Sequence, residues 1–330
     1  MPAQASCPGA GPRVCDLCAS SDSETLSATD RDGEPLETVI CRTCGLVSHA
    51  RVPTEEELAD FYARQYREQY HGEHTPSARR LVRAWENAGR ILRQLSPLLE
   101  PGARVLEVGA GIGCTVKRFA LAGFDARGVE PHEGFRQFSR TRLHARVDPG
   151  TVRDLPTDGS IDMILLVHVI EHFGSPRDAL RRMHGMLRPH GLLHVECPNL
   201  GAPFTVRHRL FHEAHTFNFT LSSLSMLARS CGFERLHFFT PGSDSNLQVV
   251  FRKVEPRPVV IDPGNRAETL AAIERATPLR HYLRTPYIAS RARQLLTYLD
   301  EHLTAQRRAR EILRICRATP EPVAATRAAA

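Results

Sequence analysis

Two Cys-x-x-Cys pairs, Cys15-Asp16-Leu17-Cys18 and Cys41-Arg42-Thr43-Cys44, lie near the start of a 330-residue chain. Thiolates at i and i+3 in a tight knuckle can point at one tetrahedral ion, and Gly45 relieves the backbone after the second knuckle. With residues 19 to 40 between the pairs, the spacing is that of a zinc ribbon, so Cys15, Cys18, Cys41 and Cys44 are expected to hold Zn2+. A disulfide pair or unrelated free thiols is the alternative. It suits the chain less well, because Met1-Pro2-Ala3-Gln4-Ala5-Ser6 lacks the basic and apolar regions of a signal peptide. Cys7, Cys114, Cys197, Cys231 and Cys316 have no ligand-like spacing and read as buried or free thiols.

Histidines supply a second group. His168-Val169-Ile170-Glu171-His172 spells H-x-x-E-H, the zinc motif of inverted zincins. That chemistry needs both histidines on one helix face, whereas His168 directly follows the apolar run Ile161 to Val167 and the next helix cap comes only at Ser175. A metalloprotease is therefore set aside. His212-Glu213-Ala214-His215 misses H-E-x-x-H, because position 216 is threonine.

The elements that must position these groups begin with Val105 to Val108, an apolar strand that ends in Gly109-Ala110-Gly111-Ile112-Gly113 before a helical pattern. Such a turn brings backbone close to a ligand and presents N–H groups of a helix start to a polar cofactor. A dinucleotide fingerprint G-x-G-x-x-G/A places its third small residue at 114, where this chain has Cys114. Glu130, about 20 residues beyond the turn, follows a second apolar run and can accept hydrogen bonds from two ribose hydroxyls. The acid fits NAD as well as S-adenosylmethionine, and the glycine spacing favours the latter.

Downstream, Ile161 to Val167 reads as a buried parallel strand, and Ser175-Pro176 as a helix cap with proline at the first position. The helix is expected to run to Leu187-Arg188-Pro189-His190-Gly191, before a strand from Leu192 to Glu196 and then Cys197-Pro198-Asn199. With these motifs the chain resembles class I S-adenosylmethionine-dependent methyltransferases of the bacterial small-molecule and sugar branch. That branch has a glycine-rich first motif, H-x-L-E-H after the fourth strand, L-R-P-G-G, and a strand ending in P-N. Ile170 replaces the leucine, His190 the first glycine, and Thr151 an acidic residue beside the adenine.

The resemblance covers roughly residues 85 to 253, with a shorter match toward the N-terminus. It implies a doubly wound, Rossmann-like α/β sheet with an N-terminal zinc ribbon and a C-terminal helical extension. It also implies that S-adenosylmethionine is held by Glu107, Gly109, Ala110, Gly111, Gly113, Glu130, Pro131, Thr151, Val152 and His168. In relatives with the same ribbon the tyrosine segment crosses the cofactor mouth, so Tyr66 and Tyr70 join that set.

Expected boundaries are a disordered 1–13, the ribbon at 14–50, a helical connector or lid at 51–84, the methyltransferase domain at 85–253, helices at 254–317 and a disordered tail at 318–330. Thr54 and Glu57 form a capping box, and Tyr62, Tyr66 and Tyr70 follow at four-residue spacing. Helical spacing from Leu81 to Leu99 and alternating strands and helices to Arg252 complete a doubly wound pattern.

The sulfonium of S-adenosylmethionine makes its methyl group electrophilic, so the protein need only align a nucleophile and, for a hydroxyl, remove a proton. His172 is the first candidate base, with Glu171 orienting it and His168 and His215 as rivals. Otherwise Glu171 and His172 cap the helix and shape the pocket. A small-molecule acceptor with O-methylation is expected; sugar C-methylation and a non-catalytic or nucleic-acid-directed protein are the alternatives.

The net charge of +6 is spread along the chain and forms no dense basic stripe, so nucleic acid is not indicated. No run reaches the 18 apolar residues of a membrane span, and a cytoplasmic protein is expected. The C-terminal helices are open to three roles: a homodimer interface, a lid, or an extra layer on the sheet.

Overall fold

A computed structural model describes residues 14–54, 57, 76–202, 205–240, 244–277 and 303–318. The tyrosine segment with Tyr62, Tyr66 and Tyr70, and the expected disordered ends apart from residue 318, lie outside these residues. Glu57 and Thr54 do form the capping box: the Thr54 N–H donates to Glu57 at 2.8 Å, and the Glu57 N–H to Thr54 Oγ1 at 3.2 Å.

The ribbon contributes β1 (Ser23–Thr29), β2 (Pro35–Cys41) and β3 (Val47–His49). There follow α1 (Ala78–Leu95), β4 (Arg104–Val108), α2 (Cys114–Leu121), β5 (Asp125–Val129), α3 (Glu133–Phe138), β6 (Val147–Asp148) and β7 (Ile161–Val167). Next come α4 (Pro176–Met186), β8 (Leu187–Pro198), β9 (Phe217–Asn218), α5 (Leu221–Ser230), β10 (Phe233–Phe238), β11 (Asn246–Lys253) and α6 (Asn265–Arg275). A further helix occupies 303–318. Helix α1 is continuous across residue 85, where the sequence places a domain boundary.

Seven strands form one sheet in the order β10-β11-β8-β7-β4-β5-β6. Strands β4 to β8 are parallel to their neighbours, whereas β11 runs antiparallel to β8 and β10 antiparallel to β11. This is the expected doubly wound Rossmann-like sheet with its closing hairpin. Strand β7, sequence IDMILLV, is buried over its first six residues because parallel strands are covered on both faces. Alternation then sorts the core. Leu106, Ile164 and Leu193 face α4, α5 and the ribbon residues Leu17, Cys44 and Leu46. Val105, Met163 and Leu192 share the opposite cluster with α1, α2 and the 303–318 helix, through Ala309, Ile312 and Cys316. The described part of the last helix is thus an extra layer on the sheet. Helix α6 instead packs Ile273 with Ile40 and Val47 of the ribbon.

Helix α4 stops at Met186, short of the Gly191 expected from the sequence. Leu187 already pairs with Ile161 in the sheet. The reason is Pro189, which lacks an N–H and drives Arg188 toward extended backbone, so a helix cannot continue through it. Residues 188 to 190 are exposed, and His190 takes a left-handed φ of 62°. A left-handed non-glycine residue costs roughly 1–2 kcal/mol. His190→Gly is expected to stabilise the fold by roughly 0.5–1 kcal/mol after the glycine entropy loss. A denaturant midpoint that fails to rise contradicts this.

Among the described residues no helix is long and apolar enough to cross a membrane.

Candidate active site

Beyond Val108 the chain turns through Gly109 to Gly113 into α2, with φ of 71° at Gly109 and 78° at Gly113. A Cβ at Gly109 would stand 2.7 Å from Val169 Cγ2, and one at Gly113 2.7 Å from Ser139 Cβ. No other residue fits this turn without displacing its neighbours. The N–H groups of Gly109 and Ala110 donate to the Val129 carbonyl at 2.9 and 3.0 Å, tying the turn to the end of β5. Glu130 sits there, 3% exposed, accepting from the Gly111 N–H at 2.8 Å and the His132 N–H at 2.9 Å. Arg136 Nη1 donates to the carbonyls of Glu130 and Pro131, both at 3.1 Å.

Glu107, buried on β4, has one oxygen, Oε2, without a hydrogen-bond partner among the described residues. Burial pushes its carboxyl up to about 8, although Thr115 and the Val116 N–H partly oppose this. Thr151 is committed locally: its hydroxyl accepts from the Arg153 N–H at 3.2 Å, and its N–H donates to Asp154 Oδ2 at 2.7 Å. Val152 is buried, and its carbonyl accepts from Arg182 Nε at 2.8 Å.

Strand β7 ends beside β4, where the strand order reverses, and His168 follows it with a left-handed φ of 54°. Strained backbone of this kind concentrates at functional sites. The His168 side chain is 45% exposed, with Nδ1 at 3.4 Å from Glu171 Oε1 and Nε2 at 3.9 Å from Glu196 Oε1. Desolvation works against its charge, but the Glu171 and Glu196 carboxylates outweigh that and raise its pKa.

Ile170–His172 forms a single 3-10 turn, so His168 and His172 do not share a helix face. His172 is only 12% exposed. Its Nδ1 donates to the Ala214 carbonyl at 2.5 Å, and its Nε2 lies 3.9 Å from Glu171 Oε1. The Ala214 carbonyl, not Glu171, therefore fixes the ring, contrary to the expected division of roles. Glu171 is 1% exposed, and neither of its oxygens accepts a hydrogen bond from the described residues. Burial disfavours its charge, yet His168, 3.4 Å from Oε1, outweighs this and holds the carboxyl down to about 2.

His215 arrives from the loop before β9, its ring 5.1 Å from that of His172 and 3.8 Å from that of His212. Burial lowers its pKa to about 2, so it is neutral. The ribbon positions this loop: the His49 N–H donates to the Thr216 carbonyl at 2.9 Å, and β9 completes the ribbon sheet beside β3.

The four ribbon sulfurs converge. Cys15 Sγ lies 3.5 Å from Cys44 Sγ, and Cys18 Sγ 3.5 Å from Cys41 Sγ. All four lie within 4.8 Å of one another, whereas sulfurs bound tetrahedrally at 2.3 Å from zinc would be about 3.8 Å apart. Asp16 clamps the knuckle onto α4, accepting from Ser175 Oγ at 2.7 Å and the Arg177 N–H at 2.8 Å. Asn265 Nδ2 holds the other knuckle through the Cys44 carbonyl at 2.8 Å.

Sequence reasoning missed the groups behind His168. Arg90 of α1 pairs with Glu196 at 2.6 Å and donates to Gln248 Oε1 at 2.9 Å. The only signal was an acid near the end of a strand buried on both faces. His194, fully buried two residues earlier, has no hydrogen-bond partner for either ring nitrogen among the described residues, and lies 4.0 Å from Glu196. Burial, with Arg90 adding repulsion, lowers its pKa to about 3. The unfolded chain takes up this proton near pH 6.5 and the folded one only near 3, so stability is lost as pH falls through that window. His194→Leu is expected to flatten the acid side of the stability profile between about pH 6.5 and 4. Parallel profiles for variant and parent contradict this.

With this geometry in place, residues 78–237 match a family profile described as a methyltransferase domain. These residues, just under half of the chain, are a methyltransferase domain. The domain is similar to a ubiquinone biosynthesis O-methyltransferase of Azorhizobium caulinodans, 33% identical over 36% of this chain and 47% of that protein. An uncharacterized protein of Mycobacterium tuberculosis is 30% identical over 32% of this chain and 39% of its own length. The chain thus spans less than half the length of either relative. A solved 1,6-didemethyltoxoflavin-N1-methyltransferase of Burkholderia thailandensis with S-adenosylhomocysteine covers 71% of this chain and 100% of its own, at 20% identity and a TM-score of 0.49.

Proposed function

We propose that the chain transfers a methyl group from S-adenosylmethionine to a hydroxyl of a small-molecule acceptor, a sugar or secondary metabolite. The observation that carries this reading is the meeting of the glycine turn, Glu130 and His168 at the carboxyl ends of β4, β5 and β7, where the sheet reverses. The residues present fit the cofactor: a cradle that any Cβ would fill, a buried carboxyl with an orphaned oxygen, and an acid at the end of the second strand.

When bound, S-adenosylmethionine supplies an electrophilic methyl group on a sulfonium. Gly109 to Gly113, with Ala110, form the backbone cradle. Glu130, beside Pro131, accepts from two ribose hydroxyls, and Glu107 holds the ammonium of the methionine end. The Val152 N–H reads the adenine edge, with Thr151 shaping that turn through its capping box. Tyr66 and Tyr70, expected to meet the methionine carboxylate or the acceptor, lie outside the described residues.

Of the candidate bases, exposure favours His168 over His172. His168 is 45% exposed with Glu171 and Glu196 beside it, whereas His172 is only 12% exposed and His215 is half-buried. The cluster of four ribbon cysteines holds Zn2+ and keeps the β9 loop in place. The O-methyltransferase name of the relative supports a hydroxyl acceptor. The protein works in the cytoplasm on small molecules, without membrane or nucleic acid, and residues 254–317 remain a candidate surface for a homodimer.

The test is transfer of labelled methyl from S-adenosylmethionine to a panel of sugars and phenols. His168→Ala is expected to lower kcat by roughly 10²–10⁴, well beyond its effect on cofactor affinity. An unchanged kcat removes the base role, and solvent deuterium appearing at the acceptor carbon replaces O-methylation with C-methylation.

A further inference from the structure

Every N–H of the Arg90 guanidinium is taken. Nε and Nη2 donate to Asn87 Oδ1 at 3.0 and 2.6 Å, Nη1 to Gln94 Oε1 at 2.8 Å and Gln248 Oε1 at 2.9 Å, and Nη2 also to Glu196 Oε2 at 2.6 Å. A planar fork held at all its donors has one orientation, so α1 fixes the carboxylate at the end of β8. Glu196, 4% exposed, keeps Oε2 on Arg90 and turns Oε1 toward His168 Nε2 at 3.9 Å. Glu171 Oε1 stands at the other ring nitrogen, 3.4 Å from Nδ1. The His168 ring thus lies between two buried carboxylates carried by different elements.

We infer that Arg90 and Glu196 are positioning residues for His168: Arg90 holds the Glu196 carboxylate where it stabilises the imidazolium that forms when His168 takes the acceptor's proton. This rests on the methyl-transfer reading with His168 as the base. In that step the acceptor O–H bond breaks and its proton goes to Nε2, because the Glu171 charge beside Nδ1 keeps a proton on that nitrogen. The O–CH3 bond forms as the S–CH3 bond breaks, and S-adenosylhomocysteine is left. The new positive charge is 3.9 Å from Glu196 Oε1, beyond a direct hydrogen bond but close enough for strong attraction in a poorly solvated site. His168 must also be neutral before it acts, and the Arg90 charge tempers the pull of the two carboxylates.

Around the ring, among the described residues, stand Glu171 and His172 from its own turn, Glu196 from β8, Arg90 from α1 and the neutral His215 from the loop before β9. Glu196 can lose its charge and keep its shape, since a glutamine there still offers Arg90 an oxygen. Glu196→Gln therefore separates the charge facing His168 from the clamp between α1, β8 and β11.

The full chain, zinc-loaded and with isotopically labelled histidine nitrogens, is titrated with pH, His168 being assigned by the signals lost in His168→Gln. In Glu196→Gln the His168 ring is expected to titrate about one pH unit lower, with kcat down about tenfold and KM for S-adenosylmethionine within about twofold of the parent. The same substitution placed in His168→Ala should cost no further kcat. Arg90→Lys, which keeps the charge but loses the fork, should show the same dependence on His168, and it decides the matter where Glu196→Gln does not fold. An unmoved His168 titration, or an equal loss of kcat with and without His168, overturns the positioning role. A shifted titration together with full activity in His168→Ala leaves Arg90 and Glu196 acting on His168 and removes the base reading instead.

Discussion

Cys44→Ser is expected to cost the fold roughly 3 kcal/mol or more and to remove one zinc per chain relative to the parent. The size follows from where the knuckle sits. Cys44 and Cys41 are buried in the same cluster as Ile164, Leu166 and Leu193 of the central sheet, together with Leu17 and Leu46. Losing a zinc ion held there would therefore open a shared core. The Asp16 clamp on Ser175 and Arg177 and the β3–β9 pairing should weaken with it, and β9 carries the loop that presents Ala214 and His215. Thermal unfolding with and without a strong chelator checks this: the parent should fall by about 5–10 °C on chelation, and the variant should not respond. A parent that neither holds zinc nor changes on chelation contradicts the ribbon assignment.

Glu130→Ala is expected to weaken S-adenosylhomocysteine binding about a hundredfold, close to 2.7 kcal/mol. Two effects act in the same direction. The Gly111 and His132 N–H groups lose their acceptor, which loosens the turn, and the ribose loses its carboxylate. Hydrogen bonds to a charged group are worth about 1.5–3 kcal/mol each, so a smaller loss would mean that the ribose lies elsewhere. Glu130→Gln, which keeps one acceptor oxygen, should lose less. Calorimetric titration of both variants reads the difference, and an affinity equal to the parent's removes Glu130 from the cofactor site.

Both effects show which parts of the molecule were legible in the chain. The glycine turn, Glu130, the cap at Ser175-Pro176 and the cysteine knuckles are local: residue types at fixed spacing dictate their geometry, and the structure has them where the spacing put them. The doubly wound sheet followed from alternating strands and helices, whereas the order of its strands did not. Juxtapositions between distant segments were not legible. Nothing near Cys44 announces that its carbonyl will meet Asn265, and no spacing places His215 beside His172. The end of α4 was missed because its apolar pattern runs past Met186, whereas Pro189 sets the backbone limit. Glu196 and Arg90 were passed over because each is an ordinary charged residue until the fold pairs them behind His168. Exposure also had to come from the fold, since H-x-x-E-H does not say that His168 faces outward and His172 inward.

The central claim is that the turn from Gly109 to Gly113 holds S-adenosylmethionine and not a dinucleotide. Calorimetric titration of the zinc-loaded chain with S-adenosylmethionine and, separately, with NAD tests it most directly. Saturable one-to-one binding of S-adenosylmethionine with no heat from NAD is the predicted result. Preference for NAD, or no binding of S-adenosylmethionine, would contradict it.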